Sequence, residues 1–87
     1  MSLGKDFAVL RNNLGFTLDE VQSKIKIPKS VLESIEDNSI FEDHNFNKIY
    51  IRSFVRSYGK FLGLSEELIV QALNLFEANL YVKIKVG

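Results

Sequence analysis

The chain has 87 residues, 46% of them hydrophobic and 11% aromatic, and its 11 basic and 11 acidic side chains leave a formal net charge of zero. That length accommodates one small domain with a single core, and the apolar content excludes a disordered chain. The charge balance argues against strong non-specific nucleic-acid binding, the absence of cysteine removes disulfides and cysteine zinc sites, and no run approaches the roughly 18 apolar residues that a membrane span requires.

Leu3, Phe7, Leu10 and Leu14 recur at helical spacing and predict a first amphipathic helix, with Gly15 as its stop. Thr17-Leu-Asp-Glu20 then reads as a capping box. The Thr17 hydroxyl can accept from a first-turn N–H while Glu20 reaches back to the Thr17 N–H, and Leu18, Val21 and Ile25 form the apolar side of a second helix. Pro28, the only proline, disfavours helical geometry at Ile27 and presets the start of a third helix over about 28–37, with Val31, Leu32 and Ile35 inward.

Residues 36–47 read as a polar, acidic connection carrying Glu36, Asp37, Glu42 and Asp43, pinned by Ile40, Phe41 and Phe46. A fourth helix is expected over about 47–62, with Gly63 as its stop. A fifth begins at Ser65-Glu66-Glu67 and carries Leu68, Ile69, Ala72, Leu73, Phe76 and Leu80. The expected architecture is therefore all-α, a five-helix repressor-like helix-turn-helix domain over residues 1–80, with 81–87 as a C-terminal tail or linker. Helices two and three carry that motif, because the short turn at Lys26-Ile27-Pro28 forces a sharp angle between them.

In such folds the head of the second motif helix meets base edges. Here those positions fall on Lys29 and Ser30, with Glu33 further along, and none of them is the Arg, Asn or Gln that makes bidentate base contacts. The helix also ends among Glu36, Asp37, Glu42 and Asp43, where phosphates would sit. Helix three thus reads as scaffold, and sequence-specific DNA binding through Lys29 and Ser30 as the alternative function.

The segment IRSFVRSYGKFLG, 51–63, interleaves basic and aromatic residues. With Lys48 at 0° and about 100° per residue, Arg52, Arg56 and Lys60 fall at about 40°, 80° and 120°. Ile51, Val55 and Leu62 lie at about 300–340°, Tyr58 near 280°, and Tyr50, Phe54 and Phe61 at about 200–240°. The apolar arc is wide for one helix of a small domain. Its Ile51/Val55/Leu62 edge suffices for a core, which leaves the Tyr50/Phe54/Phe61 edge as a candidate interaction face. The basic stripe reads either as a solvated back or as an electrostatic aid to meeting an acidic partner.

YIRSFVRSYGKFLGLSEEL, 50–68, resembles the helix-four signature of the cytoplasmic domain of the RodZ family of bacterial cell-shape proteins, and VLESIED, 31–37, fits the same family's helix-turn-helix. The resemblance covers about residues 3–80. It implies a domain on the cytoplasmic side of the inner membrane that binds the actin-like filament protein MreB and ties it to the membrane and the wall-elongation machinery. The membrane tie would run through a transmembrane segment that these 87 residues do not contain. The family's contact uses two aromatics four residues apart, which match Phe54 and Tyr58. Tyr50, Arg52 and Arg56 would accompany them. The sequence departs from the family at Asn47 and Lys48, where a proline and small residues are common, and at Ser53, where glycine is common. A homodimer through helix four is a third way to cover the aromatic face.

Nothing points to catalysis. The single histidine, His44, lies near Glu42 and Asp43 but lacks a second His or Cys at metal-binding spacing, and no nucleophile–base pair or glycine-rich phosphate loop occurs. A binding protein without cofactor or metal is expected, with DNA disfavoured as a partner.

Overall fold

The computed structural model describes residues 3–43 and 47–74. The expectations for His44, Phe46, Phe76, Leu80 and the tail 81–87 lie outside the described residues. Those described form an all-helical domain: α1 (Leu3–Asn13), α2 (Leu18–Ile25), α3 (Lys29–Glu36), a 3-10 turn (Ser39–Glu42), α4 (Lys48–Phe61) and α5, described over 66–74.

The local signals act as their chemistry requires. The Thr17 hydroxyl accepts from the Glu20 N–H at 3.2 Å while the Glu20 carboxylate accepts from the Thr17 N–H at 3.1 Å, closing the capping box that starts α2. Gly15 and Gly63 hold φ of +80° and +91° just past α1 and α4, the left-handed geometry that lets a chain leave a helix. Asn47 caps α4 by accepting from the Ile49 N–H at 2.8 Å.

The motif turn uses a less predictable device. Lys26 takes the left-handed conformation at φ 61°, Ile27 is buried beneath it, and Pro28 occupies the N-cap of α3 with no side chain able to accept. The missing cap comes from the preceding helix, where the Gln22 side chain accepts from the Lys29 N–H. One side chain thus satisfies an open donor of α3 and fixes its angle to α2.

Phe7, Val21, Leu32, Ile35, Val55, Tyr58, Ile69 and Leu73 make up the innermost core, with Ile40 and Phe41 of the 3-10 turn folded onto it. Two glycines permit the closest approaches. At Gly4 a Cβ would stand 2.2 Å from the Ile35 carbonyl oxygen, so α1 lies against the end of α3. At Gly59 it would stand 2.6 Å from the Ile69 side chain, so α5 lies along that edge of α4. Leu14 and Leu68, expected to face inward, are exposed. Leu14 falls after the last residue of α1, and Leu68 lies on the outer side of the first turn of α5.

Candidate functional site

The fourth helix carries the candidate site, and its two edges have separate surroundings. Along the aromatic edge, the Tyr50 and Phe54 rings stack with centroids 6.4 Å apart and planes 24° from parallel. Tyr50 is 59% exposed, and Phe54 is half-buried with its inner side against the core. Ile49, just before them, is 74% exposed. Phe61, on the same edge about two turns further on, packs on Phe16 at 5.0 Å and closes the gap between α4 and the start of α2.

Tyr58 departs from the sequence expectation. Its side chain is fully buried, with the ring edge-on to Phe7 at 5.2 Å and an interplanar angle of 79°. The hydroxyl donates to the Glu36 carboxylate. That carboxylate also receives two parallel bonds from Arg11, Nε to Oε2 at 2.8 Å and Nη2 to Oε1 at 3.0 Å. A further Arg11 nitrogen donates to the Phe16 carbonyl at 2.9 Å. Burial pushes the Tyr58 phenol well above its ordinary range, and the bond to Glu36 acts in the same direction. Tyr58 is therefore not an inserting anchor in this fold. It is the underside of the α4 face, held at its tip by a network reaching α1 and α3.

Glu36 is also corrected by its environment. The sequence places it among surface acids near a DNA backbone, yet its side chain is only 11% exposed and its charge is matched by Arg11. The acidic character of the connection rests on Asp37, Glu42 and Asp43, all exposed. Ser39 bonds hold the Asp37 carboxyl below its ordinary range.

The basic edge of α4 does not face open solvent alone, because α5 borders it. Arg52 donates to Asn74 at 3.3 Å, Arg56 donates to Glu66, and Lys60 lies 3.8 Å from the same carboxylate. Hydrogen bonding from Arg56, then the charges of Lys60 and Arg56, hold the Glu66 carboxyl below its ordinary range. At the head of α3, Ser30 is exposed, while Lys29 lies 3.4 Å from Asp19 of α2. The structure therefore brings Tyr50, Phe54 and Arg52 onto one helix, moves Tyr58 into the core, and leaves Lys29 and Ser30 on a separate helix. Sequence reasoning missed Ile49, whose wheel position near 100° falls inside the basic stripe.

Among the described residues no group of three His, Cys, Asp or Glu is placed to hold a metal ion, and no helix is long and apolar enough to cross a membrane.

Residues 8–69 match a family model described as a helix-turn-helix domain. An uncharacterized protein of Haemophilus influenzae is 34% identical over 68 residues, covering 78% of this chain and 22% of its own. The cytoskeleton protein RodZ of Streptococcus pneumoniae is 30% identical over 71 residues, covering 82% of this chain and 25% of its own. The chain thus spans about a quarter of the length of these curated relatives. No solved structure matches it.

Proposed function

Because the chain belongs to the helix-turn-helix domain family, we propose that it uses this fold as a non-enzymatic, RodZ-like adaptor. It binds the actin-like filament protein MreB from the cytoplasmic side and links it to the membrane and the wall-elongation machinery. The observation that carries this reading is the Tyr50 ring, exposed and stacked on Phe54 at 6.4 Å. Kinship with a protein named for the cytoskeleton supports it.

The mechanism is association. Tyr50 and Phe54 are the anchor: stacked aromatics lose little conformational freedom when they dock, and their desolvation supplies most of the affinity. Arg52 and Arg56 sit at the rim and act mainly on encounter and orientation. Tyr58 lies in the core against which Phe54 packs, so its contribution passes through the shape of the helix face. The DNA alternative is weakened by Lys29, already engaged with Asp19, and by the absence of an Arg, Asn or Gln at the head of α3.

Co-sedimentation with purified MreB filaments tests the reading, comparing wild type with Tyr50→Ala/Phe54→Ala and checking both by circular dichroism. Binding that is lost in a folded variant is expected. Equal binding by both would remove this site while keeping the partner. If neither bound, and duplex DNA were retained with a steep salt dependence abolished by Lys29→Ala/Ser30→Ala, the DNA reading would replace it.

A further inference from the structure

We propose that the outer face of α4 docks a second copy of itself, with the two α4 helices parallel and related by a two-fold axis that runs along them. At about 100° per residue from Lys48, Ser53 and Ser57 stand at about 140° and 180° and form a seam, and the side chains flanking it fall in pairs at nearly matching heights. Ile49 at about 100° is one residue from Tyr50 at about 200°, and Arg56 at about 80° is two residues from Phe54 at about 240°. Lys60 at about 120° is one residue from Phe61 at about 220°. Ile49, Tyr50, Ser53, Arg56, Ser57 and Lys60 are all exposed, while Phe54 and Phe61 are half-buried.

A two-fold axis along the helices exchanges the two flanks. Ile49 of one copy then meets Tyr50 of the other, so the isolated apolar side chain among the cations gains an apolar neighbour. Arg56 and Lys60 come against the rings of Phe54 and Phe61. Cations are attracted to the faces of aromatic rings, and a guanidinium stacks through its own face, so the in-plane bond from Arg56 to Glu66 stays made. An antiparallel pair would instead keep like flanks together and set the cations of both copies side by side, which like-charge repulsion disfavours. The short Ser53 and Ser57 side chains let the helices approach closely. The cationic flank is an open groove of about 440 Å³ lined by Ile49, Arg52, Ser53, Arg56, Ser57 and Lys60. A protein cavity of about 150 Å³ takes one benzene ring, so the groove has room for Tyr50 and Phe54 of the other copy. This contact is far smaller than the roughly 20–30 residues a side of a stable interface, so the pair is weak and forms at high local concentration. Tyr50 and Phe54 are also the anchor proposed for the filament, so docking a second copy and docking the filament exclude each other. That exclusion rests on the adaptor reading, whereas the pairing of α4 does not.

The test is an NMR dilution series of ¹⁵N-labelled protein from micromolar to millimolar concentration, with sedimentation equilibrium to count the copies. Concentration-dependent shifts at the Ile49, Tyr50, Ser53 and Ser57 amides and a monomer–dimer equilibrium are expected. Tyr50→Ala should weaken the pair by about fivefold. Ser53→Arg, which puts bulk and like charge into the seam at an exposed position, should abolish it. Circular dichroism checks that both variants remain folded. The chain has no cysteine, so a nitroxide on Lys60→Cys of ¹⁴N protein reports the orientation in a mixture with ¹⁵N wild type. A parallel pair broadens the amides around Phe61, an antiparallel pair those around Ile49. A monomer at millimolar concentration, association unchanged in both Tyr50→Ala and Ser53→Arg, or broadening confined to the Ile49 end would overturn the proposal.

Discussion

The Tyr58 hydroxyl donates to the carboxylate of Glu36, joining α4 to the end of α3 across 22 residues of chain. Arg11 of α1 holds the same carboxylate with two bonds, so three helices meet at one charged group. Removing one member of such a group costs more than the bond itself, because the other charge stays behind in a poorly hydrated place. Glu36→Ala should therefore lower stability by about 3 kcal/mol. Tyr58→Phe, which keeps the ring and the ion pair, should cost about 1–2 kcal/mol. Urea titrations of both variants check the order; equal losses would mean that the Tyr58–Glu36 bond, and not the Arg11–Glu36 ion pair, carries the contribution of the network.

The same hydroxyl makes the fold sensitive to alkali. Burial is the larger cause of the raised Tyr58 pKa and the Glu36 bond the next. The protonated phenol is favoured in the folded state, so its stabilisation is complete below the ordinary value of about 10. It is lost progressively as pH rises above that value toward the folded pKa. Phenolate absorbance from Tyr58 should appear only together with loss of helical circular dichroism. Tyr58→Phe should show a smaller alkaline loss of stability, and a Tyr58 phenolate signal, read as the difference from that variant, that precedes unfolding would contradict the burial.

Gly4 offers a test in which helix propensity and packing disagree. Alanine is favoured over glycine in a helix by about 1 kcal/mol. A Cβ at Gly4, however, would lie 2.2 Å from the Ile35 carbonyl oxygen and 2.6 Å from that of Glu36, both backbone atoms that cannot rotate away. Asn38, itself at φ 67°, also accepts from the Gly4 N–H at 3.1 Å and ties α1 to that corner. Gly4→Ala should therefore destabilise by about 1–3 kcal/mol despite the better propensity. An unchanged melting temperature would mean that α1 sits further from α3.

Tyr50 and Tyr58 should separate binding from stability. Tyr50→Ala removes an exposed ring and should change stability by less than about 0.5 kcal/mol. Tyr58→Ala empties a buried site and should cost about 3–5 kcal/mol, enough to unfold a marginal domain. Loss of partner binding in Tyr58→Ala would consequently say little about contact, whereas the same loss in Tyr50→Ala would identify the face. Thermal melts of the two variants beside wild type check the distinction.

Much of this architecture is legible along the chain because its causes are local. The Thr17–Glu20 box, the exits at Gly15 and Gly63, and the break at Pro28 each depend on residues within one turn, and they place the helices to within a residue or two. Helical spacing likewise puts Tyr50, Phe54 and Tyr58 on the apolar side of α4. Periodicity reports a direction around a helix but not the depth of cover over it. Tyr58 is buried because Phe7 and Glu36 come to it from α1 and α3, while Tyr50 is left outside. Glu36 turns inward because Arg11 is there to meet it, and the basic row of α4 is bordered because Gly59 lets α5 lie close enough for Glu66 to reach Arg56. Each of these partnerships joins residues 10 to 51 positions apart, as with Arg56 and Glu66 at the short end and Phe7 and Tyr58 at the long end. Local signals along the chain set the helices and their apolar sides, whereas the packing of one helix on another made Tyr58 core and left Tyr50 at the surface.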